Sequence, residues 1–145
     1  MTELNPLNPK DYLKQYRETL ACIQSLADHR EELRTECDSL KRQSGERIRL
    51  DAAVAHLVDT DEEIERQTDC MKLLQQEVSR IILMVTDADR RILLTLVYIE
   101  GKTLRQAASV MNYSYRQVKR IHHHALHDVS VILSRDALCR DSGAV

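Results

Sequence analysis

Glycine, proline and large aromatics are scarce in this chain: 145 residues include three Gly, two Pro, five Tyr and neither Trp nor Phe. Strand-and-turn architectures are read from β-branched and aromatic runs bounded by clusters of breakers, and such runs are missing here. Leu, Ala, Arg, Glu and Gln are abundant instead, so an all-α fold is expected. The length suffices for one ordinary domain or two small units.

Other absences narrow function. Cys22, Cys37, Cys70 and Cys139 include no C-x-x-C pair, which excludes zinc-knuckle spacing and points to reduced thiols. The N-terminus MTELNPLNPKDY has no basic-then-apolar signal pattern, and no apolar run approaches the roughly 18 residues of a membrane span. A cytoplasmic protein with no membrane partner is expected. Nucleophile-elbow, P-loop, H-E-x-x-H and dinucleotide-loop motifs are also missing, so neither enzymatic activity nor a cofactor is expected.

What the chain does have is charge, unevenly spread. Residues 1–86 hold 12 Lys/Arg against 17 Asp/Glu, a balance of −5, whereas 87–135 hold 8 against 4, a balance of +4. Between 102 and 127 there are five basic residues and no acidic one. A basic C-terminal unit behind an acidic N-terminal one suits a nucleic-acid reader with a separate interaction module.

Apolar spacing supplies the elements. Asn8-Pro9 is a helix start, and Leu13, Tyr16, Leu20, Ile23 and Ala27, continued by Leu26, Leu33, Cys37 and Leu40, mark a long helix to about Arg42. Ser44-Gly45 breaks it. Leu57, Ile64, Met71, Leu74, Val78, Ile81 and Val85 then keep a heptad register interrupted by Thr60 and Gln67. A coiled-coil-like helical hairpin over 1–86 is predicted, with a capping box at Thr60 and Glu63 making DTDEE a solvated turn. Long stripes on only two helices leave apolar surface wet, so a homodimer or higher homo-oligomer through residues 10–85 is expected.

After Val85 three capping patterns follow closely: Thr86 with Asp89, Thr103 with Gln106, and Ser114 with Gln117. They predict helices over roughly 87–99, 104–111 and 115–133, forming a second domain at 87–135, with a flexible tail at 136–145. Within LRQAASVMNYSYRQVKRI, residues Leu104, Ala107, Ala108, Met111, Tyr113, Val118 and Ile121 have the apolar spacing of a helix-turn-helix. Ala108 lets the helices cross closely, and Asn112 stands where the turn needs a residue tolerant of left-handed backbone. Ser114, Tyr115, Arg116, Lys119, Arg120 and His123 are left outward, at the positions that face a DNA groove; Lys102, Thr103 and Arg105 complete the expected DNA-binding set. The plainer alternative is a solvated basic face.

HHH at 122–124 looks like a metal site but is not expected to be one. Successive helical residues point about 100° apart, so the three rings cannot converge. Only His123 and His127 share a face, Lys119 lies on it too, and no third ligand is evident. His123 is assigned to DNA instead, and no metal is expected.

From about Asp51 to Leu133, and above all in DADRRILLTLVYIEGKTLRQAASVMNYSYRQVKRIHHHAL, the sequence resembles the sigma-70 region 4-like proteins of phages and integrated elements, including RinA-like late-gene activators. That resemblance implies a C-terminal helix-turn-helix bundle of the sigma region 4 type, a transcriptional regulator of double-stranded DNA, and contact with RNA polymerase. It does not imply promoter melting, because trapping unstacked bases takes aromatic side chains, and the chain has no Trp, no Phe and only five Tyr. Two rivals stand beside it: a terminase small-subunit-like packaging protein, and a protein-binding helical adaptor that does not touch DNA.

Overall fold

In the computed structural model, which describes residues 8–43 and 47–143 and the side chains of 8–43 and 47–136, all regular structure is helical. Helix α1, Pro9–Lys41, opens as its sequence predicts: Asn8 Oδ1 accepts from the amides of Lys10 at 3.1 Å and Asp11 at 3.4 Å, and Pro9 takes the first position, where no amide partner is needed. The break expected at Ser44–Gly45 lies outside the described residues.

Helix α2 runs unbroken over Arg47–Leu83, which corrects the expected cap at Thr60. Thr60 is buried in mid-helix and its hydroxyl donates back to the His56 carbonyl at 2.8 Å. Glu63 does not reach back to an amide. It accepts from Arg66 and Gln67 further along the helix, and these bonds, Gln67's first, hold its carboxyl below the ordinary value. A threonine followed three residues later by glutamate caps a helix only where the chain enters one, and here the apolar register carries straight through.

The chain divides into two compact units. In the stretch Glu18–Lys72, α1 and α2 run antiparallel: Arg30 pairs with Asp61, while Cys37 and Leu40 bury with Ala53, flanked by Leu50 and Leu57. The other unit takes in α1 as far as Arg17 and the chain from Leu73 onward. The boundary expected between 86 and 87 therefore falls inside this unit. The physical reason is that Val78, Ile81, Ile82 and Val85 are buried and that Arg80 reaches forward to Asp136 at 3.2 Å, tying the end of α2 to the helices that follow. This half of the α2 stripe is covered by the chain itself, while Met71 and Leu74 are half-buried.

Helix α3 is Ala88–Leu94, capped by Asp87 rather than Thr86: the Asp87 carboxylate accepts from the Arg90 amide at 3.1 Å. The backbone then widens into a π-helical turn, Thr95–Ile99, closed by Glu100 N–H donating to the Thr95 carbonyl at 3.0 Å. Gly101 leaves it at φ +76°, with the Arg17 guanidinium where a Cβ would stand. A side chain there would meet both strained backbone and Arg17. Helix α4 follows at Leu104–Met111 and α5 at Tyr115–Gly143. The tail expected from 136 is thus helical to Gly143, and residues 144 and 145 lie outside the described residues. Both α3 and α4 pack on α5. Leu93, Leu96, Ala107, Ala108 and Val118 form their shared core, with Leu104, Met111, Tyr113 and Ile121 against it.

Candidate nucleic-acid interface

Local sequence chemistry fixes how α4 meets α5. Thr103 and Gln106 form the reciprocal capping box: the Gln106 amide donates to Thr103 Oγ1 at 3.2 Å, and the Thr103 amide to Gln106 Oε1 at 2.9 Å. The Thr103 hydroxyl is therefore committed to structure. At the far end Asn112 adopts φ 59° and ψ 37°, the left-handed conformation that ends a helix, and the Tyr113 amide donates to the Ala108 carbonyl at 3.0 Å. Ser114 then opens α5 by accepting from the Gln117 amide at 3.1 Å. With Ala107 and Val118 fully buried at the crossing, the outward side of α5 is fixed by its inward side.

That outward side carries Tyr115, Arg116, Lys119, Arg120 and His123, all exposed, next to the exposed Ser114. From α4, Arg105 places its guanidinium carbon 4.5 Å from the Tyr115 ring centroid, and Lys119 Nζ stands 5.1 Å from the same centroid. Sequence reasoning put these three residues in one set but missed that they touch. The Tyr115–Lys119 spacing of four was a usable signal; the approach of Arg105 depends on the helix crossing and left none. Lys102 is half-buried, its amide donating to the Leu96 carbonyl at 2.9 Å, and it joins none of the ion pairs among the described residues.

Neighbouring acids are already engaged. Asp89 accepts from the Tyr113 hydroxyl at 2.8 Å, which raises that phenol above its ordinary value, and Asp128 holds Arg90 at 2.8 Å. None of the ion pairs among the described residues uses Arg105, Arg116, Lys119 or Arg120.

The histidines separate by environment. His122 is half-buried and its Nε2 lies 2.8 Å from the Tyr98 hydroxyl, with the two rings stacked at 5.9 Å. Burial, and then the charges of Lys10 and His123, lower the His122 pKa, while burial pushes Tyr98 up to about 12. His123 and His124 are exposed and meet edge to face at 5.9 Å. No group of three or more potential metal ligands converges among the described residues. No described helix is long and apolar enough to cross a membrane.

Residues 34–130 match the family described as protein of unknown function (DUF1492). No curated protein and no solved structure matches the chain.

Proposed function

The chain belongs to this family, and since the family's description carries no activity, we propose a function from the basic face of α5: sequence-specific binding of duplex DNA by a transcriptional regulator of phage or mobile-element type, working in the cytoplasm. One observation carries the reading. Arg116, Lys119 and Arg120 share an exposed face of a capped helix, with Arg105 beside them, and none is engaged by a carboxylate among the described residues. Such a cluster suits a phosphate backbone, which exchanges condensed counterions for protein cations. Arg116 and Arg120 also have the planar donor fork that matches a guanine edge, on the helix that would enter the major groove. RNA polymerase contact belongs to the same proposal and is supported by the resemblance alone.

Titration of the full chain onto a mixed-sequence duplex at several salt concentrations tests it. The expected result is affinity that falls linearly on a log–log plot with a slope of about −3 to −4, as three or four neutralised phosphates require. Absent or salt-insensitive association would overturn the reading in favour of a protein-binding adaptor. DNA recovered with the protein from a packaging site instead of promoters would favour the terminase-like rival.

Self-association through residues 10–85 is proposed on narrower grounds than the stripe first offered. Val78, Ile81 and Val85 are covered within the chain, so support comes from α2 residues still exposed, Ile48, Leu83 and Leu73 above all. A monomer mass by light scattering at micromolar protein, with and without DNA, would sink it.

A further inference from the structure

Resting on the DNA-binding reading, we propose that Tyr115 is a positioning residue that holds Arg105 of α4 and Lys119 of α5 together on its ring, so that both helices grip the DNA backbone through one aromatic side chain. Tyr115 opens α5, and Lys119 lies one turn further along the same face. Arg105 comes from the first turn of α4. Its arrival at 4.5 Å is set by the crossing at Ala107 and Ala108, where larger side chains would hold the helices apart.

Several features argue for a working contact over a chance surface one. Arginine and lysine ordinarily sweep many rotamers, and ordering them on binding opposes affinity. A ring attracts the cation through its quadrupole without neutralising the charge, unlike a carboxylate, so the ordered cation keeps its full attraction for phosphate. Here two cations that would repel one another share one ring, and none of the ion pairs among the described residues uses either of them. Tyr115 remains 37% exposed, so the ring is not committed to the core. The anion concerned is a backbone phosphate and not a base edge, because Arg105 belongs to the first helix of the pair, which crosses the backbone in this kind of motif.

The test uses the full chain, a random-sequence duplex, and a duplex enriched from a random library by the wild-type protein. Exposed cation–π contacts lead us to expect Tyr115→Ala to weaken binding about two- to fivefold for each cation released, equally on both duplexes. Tyr115→Phe, which keeps the ring and removes only the hydroxyl, is expected to recover most of the affinity that Tyr115→Ala loses. Arg105→Ala also removes a charge but leaves Lys119 on the ring, so the double variant is expected to lose about two- to fivefold less than the product of the two single losses. Unchanged thermal unfolding of Tyr115→Ala would place the effect in binding and not in folding. Four outcomes overturn the proposal: Tyr115→Ala binding like wild type, Tyr115→Phe as impaired as Tyr115→Ala, multiplicative losses in the double variant, or a loss confined to the enriched duplex. Wild-type protein that binds neither duplex overturns the DNA-binding reading itself, and this proposal with it.

Discussion

The stretch Glu18–Lys72 and the helices α3 to α5 both carry many arginines, but the second sets its unpaired ones beside one another. In the first, Arg30 meets Asp61 at 3.6 Å, Arg34 meets Glu31 at 3.1 Å and Arg66 meets Glu63 at 2.6 Å, while Arg42 and Arg47 join no ion pair among the described residues. In the second, Arg90 is bound to Asp128 and Arg91 donates to the Val85 carbonyl, but Arg105, Arg116 and Arg120 join no ion pair among the described residues. Within one unit, then, Arg90 fastens α3 to α5 while Arg116 and Arg120 make no such pair. Net charge alone could not have made that distinction, because an exposed pair and an exposed lone cation look the same in composition.

Core depth sharpens the contrast most. Leu93 is fully buried between α3, α4 and α5, so Leu93→Ala is expected to cost about 2 to 5 kcal/mol in denaturant unfolding. Leu40→Ala, in the smaller cluster with Cys37 and Ala53, is expected to cost less; equal losses would erase the difference between the two cores. A smaller effect is expected at the turn. Asn112→Val forces a β-branched residue into left-handed backbone at a cost of about 1 to 2 kcal/mol, whereas Asn112→Gly should fold at least as well as wild type. A Gly variant as unstable as the Val variant would mean that the Asn side chain matters and the backbone does not.

The smallest effect is expected from pH. Burial lowers the pKa of His122 from its ordinary 6.5, so between that value and the lower folded one the unfolded chain binds more protons than the folded chain. Stability is then fully present above about pH 6.5 and falls as the pH drops below it. Tyr98 stays protonated throughout, able to donate to the neutral ring and unable to donate to the protonated one. Melting temperature followed from pH 7.5 to 5 should fall less steeply for His122→Gln than for wild type; parallel curves would remove His122 from the account.

Much of the α4–α5 unit was legible because its signals are local. A capping box, an αL-tolerant asparagine and small residues at the crossing each act within a few residues, and Thr103, Asn112 and Ala108 behave as their chemistry requires. The same local reading misled at Thr60 and Thr86. Thr60 has a cap's spacing but sits where the helix never breaks, and Asp87, one residue after Thr86, supplies a better acceptor at the actual entry. Contacts made across helices were not legible at all. Tyr98 with His122, Tyr113 with Asp89 and Arg105 with Tyr115 depend on crossing geometry that no spacing along the chain encodes. The extent of the first unit was hidden for the same reason, since a continuous α2 stripe gives no sign of where its burial partner changes.

The proposed interface rests on unpaired cations of α5, as opposed to basic charge in general. Duplex binding across a range of salt is measured for wild type, for Arg116→Ala/Lys119→Ala/Arg120→Ala, and for the control Arg34→Ala/Arg66→Ala, which removes two arginines that are already paired. The triple variant is expected to lose at least about tenfold in affinity at low salt and about two to three units of salt slope, with the control indistinguishable from wild type. A correctly folded triple variant that binds like wild type, or a control that loses as much as the triple variant, would contradict the proposed interface.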